Sequence, residues 1–160
     1  MKYSSVRKTC LQAFTLIELL LVITIISILA VVVLVSLRPA QRINDSQDTR
    51  RVTDVDSILT AIHEYIIDNN GTLPPSLPTG TERQLGTSAT GCTIATGGCG
   101  VTNVACLDLS GDLTTYLQSI PVDPEATAAQ TAYSVFVDST TKKVVVRACR
   151  AEGMTILKAR

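Results

Sequence analysis

Residues 14–37, FTLIELLLVITIISILAVVVLVSL, form an apolar run of 24 residues in which the one charge is Glu18. As a helix, a run of that length crosses a hydrocarbon core about 30 Å thick, so the segment belongs in lipid or inside a protein bundle. Ahead of it, residues 1–13 read MKYSSVRKTCLQA and carry Lys2, Arg7 and Lys8 with no acid. A secretory signal peptide would have a shorter apolar core followed by a small-x-small cleavage site. Here Ala30 lies inside the run and Arg38-Pro39 closes it. Cys10 has no apolar segment before it, which argues against a lipoprotein signal. Glu18 is what a plain membrane span leaves unexplained, because a carboxylate costs about 2.5–3.5 kcal/mol at the centre of a span and less near its end. One reading is a tolerated interfacial acid. The other is that a cut between Ala13 and Phe14 frees an α-amine that Glu18 meets, in its own chain or a neighbour's, in the first turn of the helix.

The segment Ala13-Phe14-Thr15-Leu16-Ile17-Glu18-Leu19-Leu20, behind a basic leader and ahead of a long apolar run, resembles the processing site of type IV prepilins. That family comprises the pilins of type IV pili and the pseudopilins of type II secretion, and the resemblance covers roughly residues 7–75. It implies a cut between Ala13 and Phe14 by a prepilin peptidase/methyltransferase, N-methylation of Phe14, and an assembly role for Glu18. The family usually has Gly before the cut, where this chain has Ala13. The implied partners are other pilin-like subunits, in a homo- or hetero-polymer, together with membrane and filament assembly machinery. The implied location is a single pass in the cytoplasmic membrane, then an extracytoplasmic or cell-surface filament. Basic residues flank both ends of the run, so charge alone does not orient it; the resemblance and the cysteines put the leader inside.

Beyond Pro39, which kinks or interrupts any continuing helix, the chain is charged but periodic. Val52, Val55, Ile58, Leu59, Ile62, Tyr65 and Ile66 recur at three- and four-residue spacing, one apolar stripe on a wet helix. Asn69-Asn70-Gly71 terminates it. The mixed charges over residues 44–56 read as a solvated face, with Arg50 and Arg51 available to acids of a neighbouring subunit, and His63 reads as an edge residue. The prolines of residues 72–80 exclude regular structure, and residues 80–106 are mostly Gly, Thr, Ser and Ala with three cysteines. Residues 107–118 suggest a short helix with Ser110 as its cap. Residues 133–138 and 143–149 alternate as a hairpin, and residues 154–157 are a last candidate strand. The expected fold is therefore α+β: a long N-terminal helix, half transmembrane and half amphipathic, packed under a small antiparallel sheet. The expected divisions are a leader at 1–13, a membrane or filament-core helix at 14–38, its amphipathic continuation at 39–70, and a disulfide-stabilised head with about three strands at 71–160.

Removing Cys10 with the leader leaves Cys92, Cys99, Cys106 and Cys149. An even number in a loop-rich exported domain reads as two disulfides with three possible pairings, Cys149 tying a strand to the loop. A Cys₄ metal site is the competing reading, although no closely spaced cysteine pair is present. Residues 120–124, Ile-Pro-Val-Asp-Pro, resemble the turn before the sheet in major pseudopilins, some of which bind calcium nearby. This makes Asp108, Asp112, Asp123 and Asp138 calcium candidates beside the plainer reading of solvated turn acids. No other metal and no cofactor is expected.

The 14 Lys and Arg balance 14 Asp and Glu, which argues against a general nucleic-acid binder; DNA uptake through a filament is the one nucleic-acid role left open. A single His and no recognisable nucleophile–base order argue against an enzyme. The function expected is a structural subunit of a type IV pilus or pseudopilus-like filament, whether for adhesion, motility, secretion or DNA uptake. The alternative is a monomeric membrane-anchored extracytoplasmic binding module.

Overall fold

The computed structural model describes residues 14–160; the leader, with Ala13 and Cys10, lies outside them. The chain forms two compact units that part after Ala40, the second being Gln41–Arg160.

In the first unit, helix α1 spans Leu16–Leu37 and is long and apolar enough to cross a membrane. Two of its three hydroxyls turn back on the helix: Thr24 Oγ1 donates to the Leu21 carbonyl at 2.8 Å and Ser27 Oγ to that of Ile23 at 2.6 Å. Such bonds leave little polar surface for lipid to desolvate. The helix stops at Arg38, whose φ of 42° is left-handed, and α2 (Pro39–Asp68) begins at once. Proline suits a first helical position, where no N–H is needed. The expected interruption is thus a single residue wide.

Helix α2 buries Val55, Ile58, Leu59, Ala61 and Ile62 in the core of the second unit, with Tyr65 and Ile66 half-buried at its margin. Val52, expected in the stripe, stays 39% exposed, and Arg51 takes the buried position instead. The helix ends where Asn70 adopts φ 55° and the Gly71 N–H donates to the Ile66 carbonyl at 2.8 Å. This six-to-one bond satisfies a carbonyl the helix would otherwise leave open.

Four antiparallel strands follow in the order β1 (Arg83–Gln84), β2 (Tyr133–Val137), β3 (Val144–Ala148) and β4 (Ile156–Ala159). Val135 pairs with Val146 and Val145 with Ala159. The three strands expected are present; β4 sits two residues later than expected, and the two-residue β1 is added from the loop. Tyr133, Val135, Val137, Val144, Val146 and Ala148 join the α2 residues and Leu77, Leu85, Leu107, Leu109 and Leu113 in one core. A smaller cluster of Val101, Cys99 and Cys149, with Ile94 against it, anchors the loop. The helix expected over 107–118 shrinks to α3 (Ser110–Leu113). Ser110 is its first residue and not its cap; the Asp108 carboxylate accepts the Ser110 N–H at 2.9 Å.

The disulfides are Cys92–Cys106 and Cys99–Cys149. The second closes a separation of 50 residues and holds the loop against the end of β3. Gly97, at φ 59°, makes that approach possible, since a Cβ there would lie 2.6 Å from the Cys149 carbonyl carbon. Loop-closure entropy scales with the chain enclosed. Replacing Cys99 and Cys149 by Ser is expected to cost about 4 kcal/mol, against about 3 kcal/mol for Cys92 and Cys106. Urea unfolding of the detergent-solubilised chain, read by circular dichroism, checks the order.

Candidate functional site

Phe14 precedes the first helical turn and is 83% exposed. Thr15 caps α1: its Oγ1 accepts the Glu18 N–H at 3.3 Å, while Glu18 Oε2 accepts the Thr15 N–H at 2.9 Å and the Thr15 hydroxyl at 2.7 Å. This reciprocal box satisfies donors that open every helix and places a negative charge at the positive end of the helix dipole. Both bonds fall on Oε2, leaving Oε1 open among the described residues. The arrangement holds a carboxylate one turn from Phe14, oriented by Thr15. Thr15 is a site residue that the sequence reading left unassigned, although Thr-x-x-Glu ahead of an apolar run is a legible capping signal.

The second unit has its own charged centre. The fully buried Arg51 donates through Nε and Nη2 to both oxygens of the equally buried Asp123, at 2.6 and 3.2 Å, and through Nη1 to Asp48 at 2.8 Å. The Asp123 hydrogen bonds hold the Arg51 guanidinium above its usual pKa despite burial, and Asp48 adds to them. Burial pushes the Asp48 carboxyl up, but Arg51 and the N–H groups of Gly153 and Glu152 outweigh it and leave the pKa lowered. Tyr133 donates its hydroxyl to Asp54 Oδ2 at 2.8 Å; burial, then that carboxylate, raises its pKa. Residues 44–56 are therefore not one solvated face. Arg51 pairs within its own chain instead of offering itself to a neighbour, whereas Arg50 remains 60% exposed beside Asp54. Arg51 lies four residues before Val55, in line with the buried stripe, and that spacing was the signal for its burial.

The four calcium candidates do not converge. Asp123 serves Arg51, Asp108 accepts the Ser110 N–H, and Asp138 Oδ1 accepts the N–H groups of Thr140 and Thr141 at 2.9 and 2.7 Å. Asp112 Oδ2 is buried without a partner among the described residues. No group of three or more His, Cys, Asp or Glu side chains is placed to hold a metal ion among the described residues. All four head cysteines are in disulfides, which removes the Cys₄ metal reading. His63 Nδ1 lies 2.8 Å from the Leu59 carbonyl. An open cleft of about 530 Å³ is lined in part by Gln84, Glu125, Gln130, Arg150 and Glu152.

Residues 12–34 match the family described as the prokaryotic N-terminal methylation motif. This is the type IV prepilin signature, carried here on a long apolar helix. No curated protein and no solved structure matches the chain.

Two outcomes follow, one from the charged centre and one from the acids that accept backbone N–H groups. Arg51→Ala strands Asp123 in the core and is expected to lower stability by about 3–5 kcal/mol, whereas Arg51→Met combined with Asp123→Leu recovers most of the loss; urea midpoints of the three proteins decide. The Asp138 carboxyl is held below its usual 3.8, first by the Thr141 N–H and then by that of Thr140. Asp48 is lowered too. Each contributes stability that is complete above pH 3.8 and fades as pH falls through the depressed folded values. Asp138→Asn should therefore flatten the acid limb of a plot of guanidinium midpoint against pH.

Proposed function

We propose that this chain, whose N-terminal segment is a type IV prepilin signature, is a structural subunit of a pilus or pseudopilus-like filament, held in the membrane and then polymerised. The observation that carries the proposal is the register of Phe14, Thr15 and Glu18 at the head of an apolar helix. Cleavage after Ala13 gives Phe14 a cationic amine. Thr15 already orders the Glu18 carboxylate through Oε2, and Oε1 is free to receive the amine of an incoming copy. Neutralising the acid in this way offsets the cost of its burial at the filament centre. Four residues separate Phe14 from Glu18, so such pairing offsets successive copies by about 6 Å along the helix axis. Cohesion along the rest of α1 comes from dispersion and close packing, since lipid is as apolar as its neighbours. Contacts that step head to tail do not close and generate a fibre. Loss of Lys2, Arg7 and Lys8 leaves 11 Lys and Arg against 14 Asp and Glu, a formal charge of −3. The proposal assigns the chain no catalytic role.

Mass spectrometry of filaments sheared from cells should find a peptide that begins at N-methylated Phe14. A retained Met1 on a solitary membrane protein would instead establish the anchored binding module. Glu18→Ala is expected to insert into the membrane normally but to cut the filament yield by at least about tenfold, equivalent to about 1.4 kcal/mol. An undiminished yield would remove Glu18 from the mechanism.

A further inference from the structure

The chain holds two Asn-x-Ser/Thr tripeptides with no proline between, Asn44-Asp45-Ser46 and Asn70-Gly71-Thr72, and the fold treats them differently. Asn44 lies within α2, partly buried, and its amide donates to the Glu152 carboxylate. Reaching a transferase would require unwinding the helix and giving up that bond. Asn70 lies just past the end of α2 in a turn, where Asn70 and Gly71 have φ of 55° and 85° and the Thr72 N–H donates to the Asn69 carbonyl at 3.1 Å. Both central residues thus meet the positive-φ requirement of a type I′ turn. Asn70, Gly71 and Thr72 are all exposed. A Cβ built on Gly71 meets nothing within 4 Å, and the Asn70 amide has no hydrogen-bond partner among the described residues. Among the described residues the Thr72 hydroxyl is bound only to the Asn69 carbonyl, at 2.7 Å, a bond it can exchange for one to a transferase.

We propose that Asn70 is an acceptor for an N-linked glycan, supplied by a membrane transferase from a polyprenyl-diphosphate-linked oligosaccharide. The inference rests on the reading that the second unit faces outward from the membrane. In the transfer, Asn70 Nδ2 forms a bond to the anomeric carbon of the first sugar. The bond from that carbon to the diphosphate oxygen breaks, the lipid diphosphate leaves with the electron pair, and the amide proton passes to a base of the transferase. The Thr72 hydroxyl orients the amide from two residues away. A sugar chain there also shields Ile67, one turn back on α2 and 75% exposed.

The test is tryptic peptide mapping of the full chain purified from its native host. Asn70 falls in the peptide of residues 52–83 and Asn44 in that of residues 43–50, so the two are read separately. The 52–83 peptide should be heavier by whole sugar residues. That increment should vanish in Asn70→Asp, which keeps a side chain tolerant of positive φ, and in Thr72→Ala, while Thr72→Ser retains it and Asn44→Gln leaves it unchanged. Unmodified Asn70 in protein that begins at methylated Phe14 overturns the glycan and leaves the filament intact. Sugar on Asn70 of a chain that keeps Met1 establishes the glycan and overturns the filament. An increment that survives Asn70→Asp, or that appears on the 43–50 peptide alone, also overturns the assignment.

Discussion

Arg51 and Asp123 can occupy the core only as a pair. Either charge alone, taken out of water without its partner, would cost several kcal/mol, yet both are fully buried and joined by two hydrogen bonds. The pair fixes where α2 lies along the sheet unit. Arg51 belongs to the helix, Asp123 to the turn that leads toward β2, and the apolar contacts of Val55, Ile58 and Ile62 continue in line from the guanidinium. Apolar packing alone tolerates sliding by a helical turn, whereas a bidentate charge pair does not. Asp48 and the Tyr133–Asp54 hydrogen bond reinforce the same register from neighbouring turns.

The loop over residues 80–106 depends on that framework and repays it little apolar area. Its own buried side chains are few, chiefly Leu85, Cys92, Cys99 and Val101. Covalent closure substitutes for burial, with one bridge inside the loop and one from the loop to the residue after β3. Ahead of both bridges the loop contributes β1, and Glu82 accepts hydrogen bonds from Ser134 and Arg147 on the sheet face that α2 does not cover. The head is thus held by a helix and a charge pair on one face, and by disulfides and a carboxylate on the other.

The apolar helix follows a different rule. In α1 no side chain is buried among the described residues, so its cohesion is left to whatever surrounds it. The capping box at Thr15 and Glu18 satisfies the helix start internally, and Thr24 and Ser27 return their hydroxyls to helix carbonyls. One oxygen of the Glu18 carboxylate is left open at the start of that segment among the described residues, and the amine of the proposed filament contact would bring it an opposite charge.

Much of this was legible in the residues themselves. The apolar run, the Phe14–Glu18 register, the proline break, the three- and four-residue stripe of α2 and the alternation of β2 and β3 are local patterns, and a local period dictates which face of an element is apolar. Thr15 as a cap and Arg51 as a member of the stripe were written at readable spacings as well. What the chain order could not decide was which distant groups meet. Asp123 is 72 residues from Arg51, Cys149 is 50 from Cys99, and β1 is a strand only because β2 lies beside it. Likewise, α3 is cut to one turn, and Asn44 and Asn70 carry the same tripeptide signal but differ in exposure. Those outcomes depend on desolvation and chain closure, which act between segments brought together by folding, so the tertiary structure alone decides them.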